Sequence, residues 1–146
     1  MPITERGFTL IELVMIIVVL GILAAVAVPR MGGMTESSRV SATKAEMAML
    51  KRAIVGNPQV TGGGRYLDVG FEGDVGFPPT RLQDLAVKPD SLSAHNQFTR
   101  LGWNGPYVDT SGSSYAVDAW NTPYSYDPAA RTITSVGGSD TLVLAF

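Results

Sequence analysis

"GFTLIELVMIIVVLGILAAVAVPR", residues Gly7 to Arg30, decides how the rest of the chain is read. From Phe8 to Val28 the sole ionisable side chain is Glu12. A helix over that stretch would reach about 31 Å at roughly 1.5 Å per residue, matching a hydrocarbon core of about 30 Å. A carboxylate inside such a run is expensive. It costs roughly 2.5 to 3.5 kcal/mol at a helix centre and less near an interface. As a secretory signal peptide, the run offers an A-x-A match at Ala25 and Ala27. Against that reading, MPITER is a weak n-region and a glutamate hinders insertion. As a plain single-span anchor the length fits, but Glu12 has no explanation. A third reading must supply the carboxylate with a partner.

The bulk numbers bound what can follow the run. The chain has 146 residues and a formal net charge of −2, room for one small domain beside an anchor. A near-neutral, slightly acidic chain lacks the basic stripe of a broad nucleic-acid footprint, so nucleic acid is not an expected partner. With no cysteine there is no disulfide framework, thiolate metal site or cysteine nucleophile. The single histidine, His95, excludes a multi-histidine metal site and reads as a surface residue in the polar Ser91–Arg100 loop.

After Pro29, Val40, Met47, Leu50 and Ile54 share a face with Thr43, while Arg39, Lys44, Glu46, Lys51 and Arg52 lie mostly off it. That spacing predicts an amphipathic helix ended by Gly56-Asn57-Pro58. With the apolar run it makes one long helix, bent near Pro29. Gln59 to Phe77 reads as a glycine-rich connecting loop with room for short strands, and Gly62-Gly63-Gly64 lacks the Lys-Ser/Thr of a phosphate loop. PPTRLQDLAVKPD predicts a short helix capped by Thr80, with Leu82, Leu85 and Ala86 on one face and Pro89 closing it. Tyr115–Val117, Pro123–Tyr126, Thr132–Ser135 and Thr141–Phe146 read as strands bounded by Gly, Pro, Asn and Asp. Their short spacing predicts an antiparallel sheet, and a long helix followed by such a sheet is an α+β fold.

Gly7, then Phe8-Thr9-Leu10-Ile11-Glu12, then the unbroken apolar stretch resemble the N-terminus of class III, type IV prepilin-like proteins. The resemblance implies a leader, residues 1–7, removed by a prepilin peptidase between Gly7 and Phe8, with methylation of the new Phe8 amine. It implies a polymerisation helix over 8–28, an amphipathic continuation over 29–56 and a periplasmic or extracellular α+β domain over 57–146. It also explains Glu12: the ammonium at Phe8 and the Glu12 carboxylate of a neighbouring copy attract in a low dielectric, while each alone is costly. The pair would set the register of assembly. Gly21 and Pro29 bound the stretch expected to soften in the filament.

The C-terminal half resembles the major pseudopilin of type II secretion through PPTRLQDLAVKP, WNGPYV, DAWNTPYSYDP and SVGGSD. Ala119 stands where that family has proline, and Asn121 where it has glycine. Members bind calcium at the Gly-x-Asp turn with further acids downstream. Here Asp140 is the one matching acid, and TLVLAF follows it. Calcium takes six to eight oxygens, so the site is expected to be lost or weak, with TLVLAF forming a strand and no other cofactor. The implied partners are further copies of the chain, minor pseudopilins or pilins, membrane lipid before assembly, and an inner-membrane platform driven by a cytoplasmic ATPase. The implied location is the inner membrane, single-pass, then a filament.

No catalytic constellation is present. Asp68, Glu72, Asp74 and Asp84 are scattered, and Trp103, Tyr107, Trp120, Tyr124 and Tyr126 read as core and turn packing rather than a stacking surface. The expected function is a structural subunit of a secretion pseudopilus. A type IV pilus subunit for adhesion, motility or DNA uptake, and a membrane-anchored binding domain that does not polymerise, are the alternatives.

Overall fold

The computed structural model describes residues 8–63, 65–111 and 114–146. Its elements are α1 (Leu10–Val55), β1 (Asn57–Gly62), β2 (Arg65–Asp68), α2 (Gly70–Val75), two 3₁₀ turns (Leu82–Leu85 and Ser114–Ala116), β3 (Ser125–Asp127), β4 (Thr132–Ser135) and β5 (Leu142–Ala145). This is the expected α+β order, a long N-terminal helix followed by small antiparallel sheets. The chain forms two compact units, one ending at Ser38 and one running from Arg39 to Phe146.

The first unit is helical from Leu10 onward. Thr9 caps the helix: the Glu12 N–H donates to Thr9 Oγ1 at 3.3 Å and to its carbonyl at 3.1 Å, and Leu13 N–H donates to the same carbonyl. Every side chain from Phe8 to Leu23 is exposed. The predicted span to Val28 runs past the described side chains, since those of 24 and 26–34 lie outside them. Among the described residues no helix is long and apolar enough to cross a membrane. The backbone of α1 continues as helix through Gly21 and Pro29 to Val55, 46 residues in all.

In the second unit the expected stripe faces inward: Thr43, Met47, Leu50 and Ile54 are buried, joined by Ala53, while Val40 at its start is half-buried. Met47, Leu50, Ala53 and Ile54 meet Phe71, Leu82, Leu85, Tyr124 and Ile133 in one core. The helix stops at Gly56, whose φ is 78° and whose N–H returns to the Arg52 carbonyl at 2.7 Å. A Cβ there would lie 2.4 Å from the Asp68 carbonyl oxygen, and one on Gly70 would lie 2.4 Å from the Gly56 nitrogen. Two backbones cross at this point with no space for side chains, so both positions demand glycine.

Several local expectations need correction. The connecting loop from Gln59 is an antiparallel hairpin, β1 with β2, followed by the short helix α2. Gly64 lies outside the described residues. The cap of the Leu82–Leu85 turn is Arg81 rather than Thr80, because the Asp84 carboxylate reaches back to accept the Arg81 N–H at 2.9 Å. Leu82, Leu85 and Ala86 are buried as the spacing predicts. Tyr115–Val117 is no strand: Ser114–Ala116 is a 3₁₀ turn, with a single bridge from Val117 to Pro123. The strand expected from Pro123 begins at Ser125. β4 matches its expected bounds, and β5 lies within Thr141–Phe146, so the TLVLAF segment does form a strand. The order β3-β4-β5 is antiparallel throughout.

The sheet is pinned by Arg131. Its guanidinium forks onto Glu72 with two bonds of 2.8 Å, its Nε–H donates to the Phe146 main-chain oxygen, and it lies over the Phe146 ring, which stacks on Tyr126. Leu85→Ala is expected to lower unfolding stability by about 2 to 5 kcal/mol. Val143→Ala, on the exposed side of β5, should stay within roughly 0.5 kcal/mol. Denaturant unfolding followed by tryptophan fluorescence measures both.

Candidate functional site

Two places carry the residues singled out by sequence. The first is the start of α1. Phe8 and Glu12 are exposed, and Gly7 lies outside the described residues. Thr9-Leu10-Ile11-Glu12 has the Thr-x-x-Glu spacing of a helix-capping motif, with the Thr9 hydroxyl taking the Glu12 N–H. Glu12 therefore occupies the first turn of α1, where unpaired N–H groups and the helix dipole favour negative charge. This part of its role was readable from spacing alone and is independent of any neighbour. Gly21 faces open space, with nothing within 4 Å of a Cβ placed on it, so no packing within its own chain requires glycine. The Pro29 side chain lies outside the described residues.

From Leu10 to Leu23 the helix carries apolar side chains all round, Glu12 apart, and every one of them is exposed among the described residues. A helix apolar all round is stable only when buried, in lipid or among other helices. Its surface is a chemical site without a pocket.

The second place is the loop pair DAWNTPY and SVGGSD. Asp118, only 4 % exposed, ties them together. Its Oδ1 accepts the N–H groups of Trp120 (3.0 Å) and Thr122 (2.9 Å), and its Oδ2 accepts the Ser135 hydroxyl (2.6 Å) and the Gly137 N–H (3.1 Å). Burial alone would raise this carboxyl, but the bonds from Ser135, Thr122, Trp120 and Gly137 outweigh it and hold it below the usual carboxylate range. The Ala119 N–H continues the network to the buried Thr43 Oγ1 of α1 at 3.2 Å. Asn121 has φ 63°, a left-handed conformation that asparagine tolerates better than most residues, which accounts for its replacing glycine. Sequence reasoning missed Asp118 and Ser135 as partners.

Asp140 is exposed, and among the described residues no three acids or histidines gather where a metal ion would sit. Calcium needs six to eight oxygens, and both Asp118 oxygens are already committed to hydrogen bonds. These residues do not fit a calcium site.

The remaining candidates have structural employment. Asp74 accepts the Tyr107 hydroxyl, Glu46 accepts that of Tyr124, and Tyr126 donates to the Pro79 carbonyl. Burial pushes both the Tyr107 and Tyr124 phenols well above their usual range. Trp103 and Phe71 meet the Tyr107 ring edge-on. His95 is half-buried, its backbone N–H bonded to the Trp103 carbonyl and its Nδ1 without a partner among the described residues. It lines a shallow cavity with Asp74, whose carboxylate is already bonded to the Tyr107 hydroxyl, and no serine, threonine or cysteine lines that cavity among the described residues.

Comparison with known proteins agrees with this absence of catalytic machinery. The family described as "Prokaryotic N-terminal methylation motif" matches residues 4–28. A fimbrial protein of Pseudomonas aeruginosa is 31 % identical over 114 residues, covering 75 % of this chain and 73 % of that protein. The type IV major fimbrial protein FimA of Dichelobacter nodosus is 39 % identical over 126 residues, 86 % of this chain and 74 % of its own. The type II secretion system core protein G of Pseudomonas aeruginosa is 27 % identical over 124 residues, 84 % and 72 %. No solved structure matches the chain.

Asp118 supplies a pH test. Its folded-state carboxyl is depressed, so its contribution is complete above the ordinary carboxylate value of about 4 and is lost as the pH falls through the lower folded value. Asp118→Ala should cost roughly 3 kcal/mol at neutral pH, because a buried hydroxyl and N–H groups lose a charged acceptor. Thermal melting from pH 7 to pH 3 should show a smaller acid-induced fall in the variant than in the unaltered protein.

Proposed function

The chain belongs to the type IV prepilin-like family, and from that premise we propose that it is a pseudopilin, a subunit of the filament that drives protein export by type II secretion. Its role as a structural subunit of a pilus or pseudopilus, and not an enzyme, follows from the family. The secretion role is supported by one observation above others. The DAWNTPYSYDP and SVGGSD segments, which resemble the secretion branch, are joined in a single network by Asp118, and the Ala119 N–H ties that network to Thr43. The alignment with core protein G over 84 % of the chain agrees with it. The fimbrial relatives, with identities of 31 % and 39 %, favour a second reading, a pilus subunit for adhesion, motility or DNA uptake.

In the proposed mechanism the chain enters the inner membrane as a single span, and a prepilin peptidase cuts between Gly7 and Phe8. The Phe8 amine is then methylated. Assembly replaces lipid around Leu10–Leu23 with the same helix of other copies, where close packing supplies the attraction that lipid cannot. The Phe8 ammonium of one copy meets Glu12 of another. Each charge is costly in that environment unless paired, so a one-turn slip is penalised and the register is fixed. Gly21, with no neighbour requiring it, and Pro29, with no N–H to donate, give α1 a segment able to unwind in the filament. An inner-membrane platform and a cytoplasmic ATPase supply the motion, minor subunits the tip, and neither calcium nor another cofactor takes part.

Intact mass and N-terminal sequencing of membrane-extracted protein should give Phe8 as the first residue, heavier by one methyl group. A terminus at Met1 or Val28 would overturn the processing. Glu12→Ala should be cleaved and inserted normally yet yield few filaments by electron microscopy, and a normal yield would sink the register role. Deletion should abolish export of secreted proteins while leaving surface motility intact. The reverse outcome would favour the pilus reading.

A further inference from the structure

The turn Asn96–Leu101 holds out an aromatic ring that does nothing for its own fold. Phe98 is 97 % exposed. The turn beneath it is firmly built. Asn96 Oδ1 accepts the Phe98 N–H at 2.8 Å and the Thr99 N–H at 3.4 Å, the Arg100 N–H returns to the Asn96 carbonyl at 2.7 Å, and the Asn96 N–H donates to the Leu101 carbonyl at 2.9 Å. The base is fastened by Gly102 N–H on the Asp74 carbonyl and Trp103 Nε1–H on the Asp84 carbonyl. Arg100, two positions on in the same turn, is exposed and makes no side-chain hydrogen bond or ion pair among the described residues. The result is a rigid knob with an aromatic face and a positive charge.

Elsewhere on the same unit lies a groove of opposite character. α1 contributes Glu46, Met49 and Leu50, and the following chain contributes Val108, Asp109 and Tyr115. The groove holds about 190 Å³. That is below the roughly 300 to 1,000 Å³ of small-molecule sites but enough for one ring. Met49 is 62 % exposed on its wall. Both acids are positioned by hydrogen bonds, Glu46 by the distant Tyr124 hydroxyl and Asp109 by the nearby Ser111 N–H. The Ser111 bonds hold the Asp109 carboxyl below its usual range, so the rim stays negative in mild acid.

A filament of identical subunits needs a contact between two different patches of one surface, since such a head-to-tail contact propagates instead of closing on itself. We propose that the Phe98–Arg100 knob of one copy seats in the Glu46–Asp109 groove of the next, Phe98 against Met49 and Leu50, Arg100 against Asp109. The contact rests on the filament reading above and names the partner of the second unit as another copy of this chain. Aromatic and arginine residues dominate interface energetics, and opposite charges set the orientation of docking.

The absence of cysteine from the chain gives a clean test. Phe98→Cys with Met49→Cys, assembled in cells and oxidised mildly, should give a ladder of covalent multimers, because each copy offers one thiol to each neighbour. Neither single variant should give one. Arg100→Glu or Asp109→Arg alone should lower the yield of sheared filaments about tenfold, because each places like charges together, and the two combined should restore it. All four positions lie outside the buried core, and circular dichroism of each variant confirms that its fold is kept. Normal filaments from Arg100→Glu together with no ladder from the double cysteine chain would overturn the contact and leave the filament reading standing. No filaments from the unaltered chain would overturn that reading and the contact with it.

Discussion

The stretch from Leu10 to Leu23 has no face that water can wet at low cost, and its side chains are exposed among the described residues. Burying a single Leu, Ile or Val contributes about 1.5 to 3 kcal/mol, so more than ten such residues left in water outweigh the net stability of an ordinary small domain. The helix must therefore exchange one apolar surrounding for another. Lipid and further copies of the same helix are the two that the family offers. The charge at Glu12 gains meaning from this constraint. At the first turn of α1 it is tolerable in either surrounding, because the helix end favours an anion. In the proposed filament, the Phe8 ammonium of another copy would compensate it more fully.

The second unit solves a different problem, that of making a small core rigid without cysteine. It does so with charged side chains that accept or donate several bonds each. Asp118 gathers two loops around one carboxylate, and Arg131 joins α2 to β4 and to the Phe146 main chain. Each has its partners satisfied, which is the condition under which a buried or half-buried charge supports a unique fold. The C-terminal region is ordered by the same means: β5 pairs along β4, and Asp118 closes the loop before it.

Much of this was readable from periodicity. The stripe Thr43, Met47, Leu50, Ile54 and the strand β4 follow from spacing, because burial on one face imposes that spacing directly. The hairpin β1–β2 was not, since glycine and proline in Asn57–Gly62 read as loop signals, and its pairing depends on the Gly56–Gly70 crossing. Tyr115–Val117 has strand-like residues, but only the Val117–Pro123 bridge forms and the chain turns instead. Asp118 was illegible because Ser135 and Gly137 lie seventeen and nineteen positions away, and no local pattern announces such a partner. At the helix start the Thr-x-x-Glu spacing carried a local signal for the Thr9 cap that the sequence reading passed over.

The bonds that fasten α1 to the rest of its unit also fix when folding can happen. Thr43 meets Ala119 at a separation of 76 positions, Glu46 meets Tyr124 at 78, and Lys51 Nζ reaches the Ala145 carbonyl at 94. None can form while the later residue is still inside the ribosome or the translocation channel. Contacts so remote must wait for the loop between them to close, which slows folding and prolongs the exposure of unfinished surfaces. The helix leaves first and its apolar face stays uncovered longest. A subunit built this way is safest when its first segment is already held in a bilayer while the remainder is delivered, so that anchoring precedes folding in time as it does along the chain.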